Sequence, residues 1–198
     1  MQLQQCINNL GGNLRISLLT LTYKPIILPD YIVSKFNLPC CVVNVEPLKR
    51  LVEFQANHEL KPAPNLTSKH LQPSHFDKMK VSAALNVFSH SVSSSIKLMV
   101  DEGHQTEDAL TTAWFLQIVD RRLTLMSSRF PAVALSKFDI DKHAEAVAFW
   151  NFVTELFQCL HIGREGYWKP VQSGVTLSMM SSLSLQDTIL NQCDYNLY

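Results

Sequence analysis

Charge is scarce in this chain, and neither sign prevails. Charged residues make up 17% of the 198 residues, and 17 lysines and arginines stand against 17 aspartates and glutamates, so the formal net charge is zero. A neutral chain has no long-range field to draw it onto DNA or an acidic membrane surface. Hydrophobic residues make up 46%, which is typical of a folded core and excludes a disordered chain. The length predicts one domain, or one domain with a fragment of another.

Several patterns that mark common sites are also missing. The six glycines form neither Gly-x-x-x-x-Gly-Lys-Ser/Thr nor Gly-x-Gly-x-x-Gly, so no ordinary phosphate-cradling loop is predicted. The five cysteines are irregularly spaced and lack Cys-x-x-Cys, which indicates reduced thiols of an intracellular protein. The seven histidines include no His-Glu-x-x-His, so no metal site is predicted. No apolar run near the N-terminus approaches the roughly 20 residues that cross a bilayer.

Hydrophobic periodicity predicts an all-α fold after an irregular start. Residues 1–44 hold a β-like segment (ISLLTLTY) and the closely spaced prolines Pro25, Pro29 and Pro39, which is typical of a linker or an edge of another domain. From residue 45 onward, apolar positions recur at three- and four-residue steps. They predict helices over 45–60, 67–71, 77–103, 106–129, 139–162 and 177–192. On the helix over 106–129, the residues expected to face the core are Trp114, Ile118 and Leu125.

Polar residues form a second stripe on the predicted helix over 77–103, beside its apolar one. They step by four, four, three and four residues, at Lys78, Ser82, Asn86, Ser89 and Ser93. Such spacing places all of them on one helical face. Two interpretations stay open: a solvated helix surface, or the wall of a polar ligand pocket. Periodicity alone favours the solvated surface.

The same stretch carries a resemblance to a known family. FDKMKVSAALNVFSHSV resembles the KMKVxxAxxxFSHSV segment of P-element-type transposases and their THAP-domain relatives. VNVEPLKRLVEFQANHEL and NLTSKHLQP look like the LxxLxxxxxxL and KLTxxHI segments that precede it. ALTTAWFLQIVDRRLTLMSSR is similar to the TAxFIxxxDRLFDxLNSR segment that follows. Together with GYWKPVQSGVTLSMMSSLSLQDTIL, these cover residues 45–192 in the family's order.

The resemblance implies both a fold and a ligand. In such transposases this region is a helical insertion that interrupts an RNase H-like catalytic domain and binds GTP. It implies a remnant of the RNase H-like domain plus a linker over 1–44, and a helical GTP-binding insertion domain over 45–198. It also implies nuclear location and transposase-like protein partners. Direct DNA binding is not expected of a neutral fragment, and no membrane association is expected.

The family's catalytic site is not expected in this chain. Its chemistry depends on carboxylates that hold divalent metal at a DNA phosphate. When the chain is placed in register with the family's segments, Cys6 stands where one catalytic aspartate belongs. The family's other catalytic carboxylates are expected outside this chain. We therefore expect neither an enzyme nor a bound metal, and interpret the chain as a fragment derived from a transposable element.

The residues that match the family's nucleotide pocket are mixed. Those that agree are Lys80, Val81, Ser89 and Asp120; those that depart are Asn65, Leu123, Thr124 and Ser127. The family's aspartate at the position of Thr124 can accept both donors on one edge of guanine, and its loss costs about 1 to 3 kcal/mol. Loss of a stacking phenylalanine at Leu123 costs roughly 0.5 to 1.5 kcal/mol more. GTP binding is therefore expected to be weak or lost, and the alternative is a structural or protein-interaction remnant that binds no nucleotide.

Overall fold

The computed structural model describes residues 24–72, 81–127, 139–163 and 169–192. The chain divides into two compact units. Unit 1 contains Met1–Asp120 and Leu160–Lys169, and unit 2 contains Arg121–Cys159 and Pro170–Tyr198. The chain therefore passes from one unit to the other three times.

Helices dominate the described residues, as the all-α prediction requires. In chain order they are α1 (Asp30–Lys35), α2 (Glu46–Asn57), α3 (Ser68–Leu71), α4 (Val81–Val87), α5 (His90–Asp101), α6 (Ala109–Ser127), α7 (Ile140–Cys159) and α8 (Pro170–Gln186). A π-helical segment, Asp187–Gln192, continues α8. None of the helices in the described part is long and apolar enough to cross a membrane.

A small sheet gathers three distant pieces of unit 1. Its strands β1 (Ile26–Ile27), β2 (Val42–Val43) and β3 (His161–Ile162) lie in the order β2-β1-β3 and pair antiparallel. The Leu28 N–H extends the β1–β2 ladder by donating to the Cys41 carbonyl, 2.8 Å away. Gly163 leaves β3 with a φ of +76°, a left-handed conformation that glycine adopts without strain.

The segment 24–44, predicted to be irregular, is ordered and contributes to the core. Leu28, Ile32 and Val43 are at most 2% exposed. Residue 40 is fixed from α6, because the Thr111 hydroxyl donates to the Cys40 carbonyl (3.0 Å) and accepts from the Cys40 N–H (3.3 Å). The prediction of irregular structure was therefore wrong for these residues, since tertiary pairing overrode three prolines. The proposed domain division at residue 44 stays a prediction.

The predicted helices over 45–60 and 67–71 are confirmed as α2 and α3. Proline in the first turn of α2 suits a position whose N–H has no intrahelical partner. Leu48 and Leu51 of α2 are fully buried. Thr67 caps α3 in a reciprocal arrangement with His70, which gives hydrogen-bond acceptors to backbone N–H groups of the first turn.

The single helix predicted over 77–103 is two helices. Its first residues lie outside the described part of the chain, and α4 ends at Val87 before α5 begins at His90. Ser89 takes extended backbone angles (φ −116°, ψ 152°) and starts a new helix. The polar stripe is therefore not continuous, and Ser93 is fully buried. The apolar period survives the break, so periodicity alone did not reveal it.

The core-facing side of α6 differs from the prediction. Trp114, Ile118 and Leu125 are only half-buried, whereas Ala113, Leu116, Val119 and Leu123 are at most 5% exposed. The helix is apolar on several sides, and buried threonines at its start hold the segment 40–44. The positions of Trp114, Ile118 and Leu125 were thus a poor guide to which face of α6 is buried.

Unit 2 contains an antiparallel pair, α7 and α8. Asp139, the first residue of the predicted helix over 139–162, caps α7 by accepting from the Lys142 N–H at 3.1 Å. The helix ends at Cys159, and the predicted final turn is β3 instead. α8 begins at Pro170, seven residues before the predicted start. Proline is pre-organised for the first helical position, and the buried residues Val171, Val175 and Met179 continue the apolar face back to it.

Candidate functional site

Two of the predicted nucleotide residues, Ser89 and Asp120, lie close to each other in unit 1, where α5 and α6 are in contact. Residues 102–108 join the two helices. The Ser93 hydroxyl donates to the Ala113 carbonyl at 2.9 Å, and the Lys97 ammonium donates to the Gln117 side chain at 3.0 Å. The first of these bonds is buried and satisfies a hydroxyl that the sequence suggested was solvated. The Asp120 carboxylate of α6 interacts with His90, the first residue of α5.

Ser89 is the N-cap of α5. Its hydroxyl accepts from the Val92 N–H at 3.4 Å and donates to the Asn86 carbonyl at 3.1 Å. The first bond satisfies an orphan donor of α5, and the second fixes the last turn of α4. Both the donor and the acceptor function of this hydroxyl are thus used within the chain.

Asp120 faces the same helix start. Burial of the half-exposed carboxyl raises the pKa of Asp120, while the charge of His90 and a hydrogen bond from the His90 main-chain N–H oppose that rise. Both opposing interactions favour the carboxylate, as does the positive end of the α5 dipole. The chain thus presents a partly buried acceptor, and His90 lies between Ser89 and Asp120.

Two histidines lie close to polar side chains of α4 and α5. The Asn86 side chain lies 3.5 Å from His70 Nε2, which ties α4 to α3, and Ser94 lies 3.3 Å from His90 Nδ1. His90 was missed as a partner of Asp120 by sequence reasoning. The two residues are 30 positions apart, and only the turn between α5 and α6 places them together.

The other predicted pocket residues are less well assembled. Lys80 lies outside the described residues, and Val81 opens α4 without a described side chain. Asn65 is exposed in a turn. In unit 2, Leu123 is 5% exposed, Thr124 is exposed, and the Ser127 hydroxyl donates to the Leu123 carbonyl at 2.7 Å. The structure therefore brings together Ser89 and Asp120 out of the four matching residues.

Unit 1 also contains a small cleft. It has a volume of about 140 Å³ and is lined by residues that include Asn44, Arg50, Gln105 and Asp108. Ligand pockets for molecules of drug size enclose about 300 to 1,000 Å³. None of the predicted nucleotide residues lines it.

At the start of α5, the Asp120 carboxylate is a hydrogen-bond acceptor. A carboxylate there can accept hydrogen bonds from an N–H edge, and it repels a phosphate that the helix N-terminus would otherwise attract. The described residues hold no cluster of three or more His, Cys, Asp or Glu side chains suited to a metal ion. The arrangement is suited to recognition of a base with adjacent donors.

Comparisons with known proteins identify the family and the fold. Residues 33–138 match the family model described as TNP-like, GTP-binding insertion domain. A solved structure, the Drosophila P element transposase strand transfer complex, matches with a TM-score of 0.78 and 15% sequence identity over 94% of this chain. The match spans 41% of the transposase chain. At so low an identity, the structural match shows a shared fold alone. A search of curated proteins finds no match. Because the family model matches more than half of its residues, the chain belongs to the family of TNP-like, GTP-binding insertion domains.

Proposed function

We propose that this chain is a transposable-element-derived nucleotide-binding module that recognises guanine weakly and performs no strand chemistry. The observation that carries the proposal is the Asp120 carboxylate, partly buried at the start of α5 beside Ser89. Membership of a GTP-binding family indicates that the ligand is GTP, and the Asp120 carboxylate is the proposed hydrogen-bond acceptor for guanine. The module works in the nucleus with transposase-like protein partners, and neutrality argues against direct DNA binding.

The guanine edge is the part of the nucleotide that suits Asp120. Its N1–H and N2–H donors lie side by side, and the two oxygens of a carboxylate can accept from both. Phosphates face repulsion at the same place, so they contact other residues, for which Lys80 is our candidate. The substitutions at Leu123 and Thr124 remove a stacking ring and a second acid, which is why the proposed affinity is weak.

A titration with fluorescent GTP tests this assignment. Asp120→Asn and Lys80→Ala are expected to weaken binding about tenfold or more, since each removes a charged partner worth roughly 1.5 to 3 kcal/mol. Asp101→Asn is the matched control, because Asp101 is an exposed acid at the other end of α5. Inosine triphosphate lacks the exocyclic amine and is expected to bind the unaltered protein more weakly than GTP. Equal binding by Asp120→Asn and the unaltered protein would contradict the site.

The second candidate function is a structural or protein-interaction remnant that binds no nucleotide. The use of both hydrogen-bonding functions of Ser89 within the chain favours it. Absence of saturable GTP binding up to high micromolar concentration, in a protein that unfolds cooperatively, would decide for this alternative.

A further inference from the structure

His90 is the first residue of α5 and lies at the proposed guanine site. Its main-chain N–H donates to the Asp120 carboxylate, and the charge of its ring acts on the same carboxylate. The residue is exposed to solvent, so a ligand that reaches Asp120 from solvent can also reach His90. The main chain of His90 thus contacts Asp120, and its imidazole extends from the same residue.

One nitrogen of the His90 ring has a partner within the chain. Nδ1 lies 3.3 Å from the Ser94 hydroxyl, one turn further along α5. When this hydroxyl donates to Nδ1, the ring proton is on Nε2, and a protonated ring carries a proton there as well. Among the described residues, Ser94 is the only hydrogen-bond partner of the ring, and no ion pair between them includes His90. Nε2–H is therefore a donor that a ligand can use.

The hydroxyl of Ser89 does not offer such a donor. It donates to the Asn86 carbonyl at 3.1 Å and accepts from the Val92 N–H at 3.4 Å, so its one proton is already used. Ser91 carries an exposed hydroxyl, but the interactions of Asp120 are with His90. The imidazole is thus the side-chain donor that is nearest to the carboxylate along α5.

The Watson–Crick edge of guanine presents one acceptor next to two donors. O6 accepts, while N1–H and N2–H donate. The two oxygens of Asp120 can accept from both donors but cannot serve O6. Adenine has a donor at N6 and an acceptor at N1, which is the opposite order. A site that reads the whole guanine edge therefore needs one donor beside the carboxylate, and the same donor disfavours adenine.

We propose that His90 Nε2–H donates to guanine O6, beside the Asp120 carboxylate that accepts from N1–H and N2–H. This inference rests on the proposed function, because it requires guanine to bind at Asp120. The main-chain contact between His90 and Asp120 keeps the ring and the carboxylate close together, as adjacent atoms on one base edge require. His90 is thereby a residue that determines base specificity, in addition to Asp120.

Two analogues of GTP probe the two groups separately. 6-Thio-GTP replaces O6 by sulfur, which is a weak acceptor, and keeps both N–H donors. Inosine triphosphate keeps O6 and lacks the exocyclic amine. Each is measured at equilibrium in competition with fluorescent GTP. The unaltered protein is expected to bind GTP about threefold to tenfold more tightly than 6-thio-GTP, which is the value of one neutral hydrogen bond.

Substitutions of the two residues are expected to have opposite effects. His90→Phe keeps a planar ring without nitrogens, so it is expected to bind GTP and 6-thio-GTP equally and still to prefer GTP over inosine triphosphate. Asp120→Asn is expected to lose the preference over inosine triphosphate and to keep the preference over 6-thio-GTP. His90→Gln restores an N–H donor and is expected to recover part of the preference that His90→Phe removes.

Two matched controls are exposed residues near His90 in the sequence. Ser91→Ala removes the neighbouring hydroxyl, and His104→Phe removes a histidine from the segment 102–108. Both are expected to leave the two preferences unchanged. Each preference is a ratio of affinities measured on one protein, so a smaller folded fraction lowers both affinities alike and does not change it.

Three outcomes would overturn the assignment of His90. The first is an equal preference for GTP over 6-thio-GTP in the unaltered protein and His90→Phe. If the effect of Asp120→Asn on inosine triphosphate is then still observed, the guanine site stands and His90 alone is excluded. The second is a loss of that preference in Ser91→Ala as large as in His90→Phe, which would assign the donor to Ser91. The third is absence of GTP binding by the unaltered protein, which would overturn the proposed function as well.

Discussion

Single residues at the start of α5 serve the fold and the candidate site together. Ser89 interrupts what the sequence predicts as one helix, and its hydroxyl is bonded on both sides. Asp120 reaches that point from α6 and interacts with His90. Each of the two residues therefore has a structural effect that can be measured without a ligand.

Ser89→Ala is expected to destabilise the protein through loss of the cap. An N-cap serine is worth about 1 kcal/mol, or roughly 2 to 4 °C in Tm for a chain of this size. Ser89→Asp retains a capping oxygen and is expected to lose less. Ser91→Ala, an exposed change in the first turn of the same helix, is the control in a thermal melt. A loss in Ser91→Ala as large as that in Ser89→Ala would contradict the capping role.

Asp120→Asn is expected to change how stability depends on pH. Burial raises the pKa of Asp120 in the folded state, so the folded protein binds this proton more tightly than the unfolded chain does. The resulting stabilisation is fully present below the ordinary aspartate pKa of about 3.9 and is lost as the pH rises through the folded-state pKa. Relative to Asp120→Asn, the unaltered protein should therefore gain stability as the pH falls from 7 to below 4.

Denaturant unfolding of both proteins across that range provides the measurement. A stability difference that stays constant, or that moves against the unaltered protein on acidification, would mean that the interactions with His90 outweigh burial. Asp101→Asn again serves as the exposed control.

At the scale of elements, the sequence predicted which helices exist better than where each one begins and ends. α2, α3 and the cap of α7 followed from apolar spacing and local capping residues. The break at Ser89 did not, because the apolar stripe continues through it. The sheet was invisible, since strands of two residues show no alternation and pair over long sequence distances. Of the candidate site, Ser89 and Asp120 came from the family's motif, whereas the role of His90 depends on a tertiary contact with Asp120.

The start of α6 holds the segment 40–44 through buried threonines. Thr111→Val keeps the shape of the side chain but removes the acceptor and donor that serve Cys40. Because Thr111 is fully buried, the unpaired backbone groups are expected to cost about 1 to 3 kcal/mol. Equilibrium unfolding measures the cost, and Thr124→Val, at an exposed position of the same helix, is expected to cost far less. Equal effects would argue against this attachment.

At the scale of the whole molecule, the buried residues before position 45 indicate how much of the chain the fold requires. The motifs that resemble the family begin near residue 45 and the match to the family model begins at residue 33, yet Leu28, Ile32 and Val43 are buried and strand β1 bridges β2 and β3. Sequence similarity and burial thus place the beginning of the folded unit at different residues.

A shortened chain that begins at residue 45 is expected to fold poorly. Three buried aliphatic side chains contribute about 5 to 9 kcal/mol, which is comparable with the whole stability of an ordinary domain. A chain that begins at residue 24 retains them and is the matched comparison. Circular dichroism and thermal melts distinguish the two, and equal stability of both chains would show that the sheet contributes little.

The position of β3 has a consequence for the order in which the protein is made. β1 pairs with β2 across residues 28–41, which include α1. Its other edge pairs with residues 161–162, which are synthesised about 120 residues later. At 5 to 20 residues per second, the ribosome needs roughly 6 to 24 s to supply them. Throughout that interval the nascent chain carries an open strand edge, and the sheet is completed only after the whole of α7 has been synthesised.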